Sequence, residues 1–271
     1  REPKHCGGEC ASLGEMHIRR ICHNNRQYDS GGPHMKLNEL LQLADSGRSG
    51  ISPQEKSKKS QQTLPGEWKS FFLKAAREAL PGADADAAWQ FFISGAGQEL
   101  SLTLADIDRL YCIAGYHEHT RPSLPASGQE GTEGPEEELF RTSSMKILDG
   151  AFDAAAPEDL PQLMHHLPDQ ILSSRFTLHP IELAAMSLKR LIDISPYEEK
   201  NEEAAVLLMD RILTDAGFVP ILITPENREA FMDALCLSRR ICDMEPLSRL
   251  TAEEILRQQR NLSSAPLPPG Q

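Results

Sequence analysis

Two stretches of this 271-residue chain hold residues whose types could do chemistry. Near the start, Cys6, Cys10, His17 and Cys22 are thiolate and imidazole donors of the kind that hold zinc tetrahedrally. Their spacing is irregular, with three residues between the first two cysteines and six more before His17. Zinc modules usually present tighter pairs, so a disordered or locally packed segment competes with the metal reading. Further on, Glu198, Glu199, Glu202 and Glu203 surround the single cation Lys200, just before a helical pattern. Carboxylates in a first helical turn ordinarily stabilise the helix dipole, and that is the plain reading of these four. His165-His166 falls on an amphipathic pattern and reads as a solvated face. His117 and His119 flank Glu118 in a loop and lack a third ligand.

These groups depend on the elements around them. Leu37, Leu40, Leu41 and Ala44 recur at helical spacing. Residues 46–64, rich in Ser, Gly, Lys and Gln, read as a connector. Glu67 to Leu80 reads as a helix carrying Trp68, Phe71, Phe72, Ala75 and Ala79, and Ala83 to Ile93 as another. Thr103 with Asp106 forms a capping box for a helix through Leu104, Ile107, Leu110 and Tyr111. Residues 118–138 are loop-like. Met145 and Ile147, followed by Asp149-Gly150, predict a short hairpin. Helices are then expected from Pro157, from Pro180, from Asn201 to Ala216 (with Gly217 as its cap) and from Thr224-Pro225, the last with Ile241 facing inward. Thr251 to Glu254 reads as the capping box of a short final helix, and the Pro-rich tail from Ser263 as disordered. The fold class is all-α, a helical bundle with a small β-hairpin flap.

Residues 179–235 resemble the Fic/Doc (Fido) family, in which a helical bundle presents a signature loop beside a hairpin flap. The resemblance rests on His179-Pro180-Ile181-Glu182-Leu183-Ala184-Ala185, on Leu207 to Leu213, and on the exit Ala216-Gly217-Phe218-Val219-Pro220. Upstream, 141–152 and 157–164 are similar to the flap and the Pro-led helix after it. The resemblance covers about 100–242. It divides the chain into a Cys/His-rich segment 1–34, a helical region with a linker at 35–99, a degenerate Fic-like domain at 100–245, and a helix with a Pro-rich tail at 246–271. The chain opens with Arg1, so its true N-terminus is expected to be missing, and Met35 reads as a natural start or a junction.

The family's signature is His-x-Phe-x-(Asp/Glu)-Gly-Asn-Gly-Arg-x-x-Arg. Here it falls on Ser195 to Val206. The aromatic Tyr197, the acidic Glu199 and the amide Asn201 survive in kind. Ser195 stands at the histidine position, Lys200 and Glu202 at the glycines, Glu203 and Val206 at the arginines. By resemblance the histidine is the general base for adenylyl transfer from ATP to a protein hydroxyl. Serine cannot take that proton near neutral pH, and a positioned base contributes roughly 10²–10⁴-fold. The glycines let backbone N–H groups approach phosphate at a helix N-terminus. Glu203 reverses the sign of an arginine, and a carboxylate ~4 Å from a phosphate costs on the order of 4 kcal/mol at an effective dielectric of 20.

The expected function is therefore a catalytically degenerate Fic-like protein that works through protein–protein contact, as a regulator of a partner Fic enzyme or as an effector delivered into another cell. The alternative is protein adenylylation of Ser, Thr or Tyr hydroxyls, with Tyr197, Glu199 and Asn201 around ATP and Glu199 holding magnesium. Otherwise no cofactor is expected. By the same resemblance, Met145-Lys146-Ile147 offers a strand edge on which a target segment docks. A net charge of −12 argues against a broad nucleic-acid surface. No apolar run reaches the ~18 residues of a membrane helix. Six cysteines are too few for a disulfide-built fold, and Cys112, Cys236 and Cys242 read as reduced core residues of a cytoplasmic protein. A homodimer is compatible with the sequence.

Overall fold

The computed structural model describes residues 35–48, 66–95, 100–115 and 140–264. The Cys6, Cys10, His17 and Cys22 set, the 118–138 loop and the end of the tail lie outside them. The described elements are α1 (Leu37–Ser46), α2 (Gly66–Ala79), α3 (Ala85–Gly95), α4 (Leu104–Ile113), the strands β1 (Lys146–Ile147) and β2 (Phe152–Asp153), a 3-10 turn (Pro157–Asp159), α5 (Leu160–Ser174), α6 (Pro180–Ile194), α7 (Asn201–Asp215), α8 (Arg228–Ile241) and α9 (Glu245–Ser264). The class is all-α, as the periodicity predicts. No described helix is long and apolar enough to cross a membrane.

Helix α7 lies at the centre. It packs most extensively on α6 and also against α3 and α4. Thirteen of its fifteen residues are buried, so it is a core element rather than an amphipathic surface helix. Around it α9 braces α8, α1 and α6, while α5 closes the far side of α6. The α2–α3 pair is joined by aromatic contact, Phe72 meeting Phe92 edge to face at 5.2 Å.

The helix ends follow from local chemistry. In the capping box of α4, Asp106 N–H donates to Thr103 Oγ1 at 3.2 Å and Thr103 N–H to the Asp106 carboxylate at 2.9 Å. Pro180 sits in the first turn of α6, its missing N–H costing nothing there. Gly217 takes φ 84° just beyond α7, where a side chain would be strained.

Four sequence expectations need correction. The last helix starts at Glu245, not Thr251. Its start signal is Asp243 ahead of Pro246, the Asp243 carboxylate accepting Glu245 N–H at 2.9 Å. Thr251 lies mid-helix, donating back to Leu247 O at 2.8 Å. The helix expected from Thr224 begins at Arg228, because Thr224 to Asn227 form a turn first. Ile241 is 52% exposed, since the chain turns through left-handed Cys242 directly after it. Of the three cysteines read as core, only Cys236 is buried; Cys112 is half-buried and Cys242 exposed, and none of the three is in a disulfide.

Candidate functional site

The loop joining α6 to α7 carries the residues that the sequence picks out. Two backbone positions shape it. Ser195 closes α6 at φ 43°, and Lys200 precedes α7 at φ 61°, both in the left-handed region. Lys200 stands where the resemblance places a glycine, and its backbone adopts the conformation that glycine favours.

Side chains seal the loop between these points. The Asn201 side chain bridges the Tyr197 backbone: Tyr197 N–H donates to Oδ1 at 3.0 Å and Asn201 Nδ2 donates to Tyr197 O at 2.7 Å. Tyr197 is fully buried, and its ring stacks on Tyr111 of α4 at 3.7 Å with planes 5° apart. Its hydroxyl donates to Asp108 Oδ1 at 2.8 Å. Burial, and then the neighbouring Asp108 charge, raise the Tyr197 pKa well above its ordinary value. The hydroxyl thus stays protonated at neutral pH and serves as a donor, not a base.

At the histidine position, Ser195 is 2% exposed, and its Oγ donates to Ile192 O at 2.7 Å. The hydroxyl is turned into its own helix end, its proton engaged by that carbonyl. The four carboxylates divide into two pairs. Glu198 and Glu199 are exposed. Glu203 is held by Lys200 Nζ at 3.0 Å, and Glu202 reaches Arg228 at 2.6 Å. Lys200 Nζ also lies 3.4 Å from Pro81 O, ahead of α3. The N-terminus of α7 therefore faces a lysine–glutamate pair on its own first turn.

The flap lies beside the loop. Its strands pair antiparallel, Lys146 with Asp153 and Ile147 with Phe152. Met145 is half-buried, its sulfur 3.8 Å from Asn201 Nδ2. Lys146 is exposed, its amine 2.7 Å from the Asp153 carboxylate across the pair. Ile147 is buried at 8% exposure. Among the three residues offered as a docking edge, Lys146 alone presents its side chain to solvent.

Two residues of this region escape sequence reasoning. Asp108 is 4% exposed on α4. It occupies a position of the Leu104, Ile107, Asp108, Tyr111 stripe, and a carboxylate in an apolar stripe is the signal that could have found it. Arg141 is 1% exposed. A lone arginine after Phe140 reads as surface, and no sequence signal marks it.

Deeper in α7, Asp210 has no solvent exposure and accepts Ile221 N–H at 2.9 Å and Leu222 N–H at 3.3 Å. It anchors the chain that leaves the helix. Burial pushes its pKa up to about 7, against the pull of those two N–H groups. Asp215, 2.8 Å from Arg211, is pushed up to about 6 by burial, against the arginine's charge. Among the described residues no group of three or more His, Cys, Asp and Glu is arranged to hold a metal. Glu199 is thus the one described residue named for a metal role, and it would have to supply it from the loop surface.

No family model matches the chain. It is 39% identical over 116 residues to the protein adenylyltransferase Fic of Nematostella vectensis, covering 42% of this chain and 27% of that protein. The protein adenylyltransferase Fic of Aedes aegypti is 31% identical over 115 residues, 42% of this chain and 22% of that protein. The chain thus spans less than a third of the length of these curated relatives. Among solved structures, it resembles a Fic domain containing signaling protein from Bacteroides thetaiotaomicron with a TM-score of 0.56 at 17% identity, over 84% of this chain and all of that one. IbpAFic2, solved covalently tethered to Cdc42, gives a TM-score of 0.51 at 16% identity, over 90% of this chain and 84% of that one. At such identities the structural likeness is one of fold.

Proposed function

We propose that this chain, which carries a Fic (Fido) domain, is one whose signature loop has been rebuilt into a structural turn, and that it acts by binding another protein. The observation that carries the reading is the state of the loop. The position of the family's base is a buried serine donating to Ile192 O, and the helix N-terminus beside it is met by Lys200 paired with Glu203. Phosphate binding at a helix N-terminus needs free N–H groups and favourable charge. Here two further exposed carboxylates, Glu198 and Glu199, stand at the approach.

The flap edge at Met145, Lys146 and Ile147 is the surface we assign to the partner, which would add an extended segment by main-chain hydrogen bonds. IbpAFic2 was solved with a protein, Cdc42, which supports a protein as the class of partner. The rival reading is adenylyl transfer with other residues, and the names of the curated relatives favour it. In that reading Tyr197, Glu199 and Asn201 would line the nucleotide site, with magnesium on Glu199.

A repaired variant separates the two. Ser195→His, Lys200→Gly, Glu202→Gly and Glu203→Arg together restore the signature types while leaving buried Val206 alone. With ATP labelled on its α-phosphate and magnesium, the wild-type chain should take up no label and the repaired chain should bind nucleotide. Label transferred by the wild-type chain to itself or to a protein in the mixture would overturn the proposal.

A further inference from the structure

Arg141 stands just ahead of the flap, outside the signature, and is nearly without solvent contact. Its Nε donates to Ser195 O at 2.7 Å and Nη2 to Ile194 O at 3.2 Å, so it satisfies carbonyls at the C-terminus of α6. Those are the groups a helix end leaves open, and a cation there also meets the negative end of the dipole. The same guanidinium reaches both roots of the hairpin. Nη1 donates to Ser143 O at 2.6 Å, and Nη2 also donates to Ala155 O. Its own backbone N–H donates to Pro196 O at 2.8 Å.

No carboxylate shares these bonds. Each side-chain hydrogen bond of Arg141 among the described residues goes to a backbone carbonyl, from the segment before β1, the segment after β2, and the end of α6 where the loop begins. Burial lowers the guanidinium pKa from its ordinary value, with the charge of Glu198 opposing. A buried arginine spread over three backbone segments has the geometry of a joint. Arg239 holds the outer side of the same hairpin, donating to Asp153 O at 3.0 Å and pairing with Asp193 at 2.6 Å. That contact ties β2 and the last turn of α6 to α8 without bonding residues 194–196.

We infer that Arg141 is a positioning residue that locks the flap to the signature loop, so that the two open and close as one piece. The flap edge is then preset by the loop, and a change in residues 194–196 is felt at Met145 to Ile147. The inference stands whether or not the loop binds nucleotide.

Native-state hydrogen exchange across a low-urea series tests it. The flap is reported by the amides of Ala154 (bonded to Met145 O) and Ala155 (bonded to Asp193 O), and the loop by Ser195 (bonded to Leu191 O) and Tyr197 (bonded to Asn201). In the wild-type chain these four should share one opening free energy and one urea dependence. In Arg141→Lys, whose ammonium cannot reach all the carbonyls, the flap amides should separate and exchange about tenfold faster than the loop amides, the effect of losing roughly one net hydrogen bond. Arg239→Ala should speed both sets together. Different opening free energies for flap and loop in the wild-type chain would overturn the inference, as would sets that stay merged in Arg141→Lys. If Arg141→Lys does not fold, the wild-type series decides alone.

Discussion

The two ends of α7 make the instructive contrast. At its C-terminal end, buried Asp210 organises the exit chain by accepting two backbone N–H groups, and Arg211 bonds both Asp215 and Phe91 O. The sequence there resembles the Fic family closely. At its N-terminal end Ser195 and Lys200 take left-handed backbone, and the side chains of Asn201 and Tyr197 close the loop on itself. Backbone course is set by packing from α4, α6 and the flap, which involves many residues. Anion binding is set by a few side chains at one helix end. The second can therefore be lost while the first remains.

This contrast can be broken or sharpened by substitution. The largest effect is expected at the joint. Arg141→Ala strips donors from four carbonyls, and at about 1 kcal/mol per bond it should lower unfolding free energy in urea by about 4 kcal/mol. A loss below about 1 kcal/mol would mean that these carbonyls find other partners.

Next comes Asp210→Ala at the opposite end, which leaves two buried N–H groups unpaired and should cost about 2–3 kcal/mol by the same assay. Asp210 also sets a pH dependence. Its folded pKa, about 7, lies above the ordinary carboxylate value of 3.8, as does that of Asp215, about 6. The folded state therefore holds more protons between these values. Their contribution to stability is greatest below pH ~4 and falls as pH rises to ~7. Asp210→Asn should flatten that fall, as measured by urea unfolding at pH 4.5, 6 and 8. An unchanged pH profile would show that Asp210 does not carry it.

A smaller effect is expected within the loop. Tyr197→Phe keeps the stack on Tyr111 but removes the bond from its hydroxyl to buried Asp108, and should cost about 1–2 kcal/mol. An unaltered midpoint would mean that the Tyr197–Asp108 bond holds nothing together. Smallest is Lys200→Gly. Relief of a left-handed L-residue is worth about 1 kcal/mol, offset in part by the freedom glycine gains in the unfolded chain. The variant should range from unchanged to about 1 kcal/mol more stable. A clear loss would assign Lys200 a structural role through Glu203 and Pro81.

Much of the fold is legible in the sequence because local signals repeat the tertiary answer. The Thr103–Asp106 box, Pro180 at the start of α6 and Gly217 after α7 each mark an end that the structure keeps. Thr251 to Glu254 misleads because the same box pattern arises inside a helix, where the hydroxyl bonds back to Leu247 O instead. The candidate site is legible by residue type alone. That Tyr197 turns inward onto Asp108, and that Arg141 ties three segments together, depend on partners 89 and 54 positions away in sequence. Neither periodicity nor spacing encodes contacts of that range.

The most direct test of the central claim is calorimetric titration of the folded wild-type chain with ATP, with and without magnesium. A loop rebuilt as a structural turn predicts no saturable heat up to millimolar nucleotide in either condition. Saturable binding tighter than about 100 µM, about −5.5 kcal/mol, would contradict it and show that the anion site survives its changed side chains.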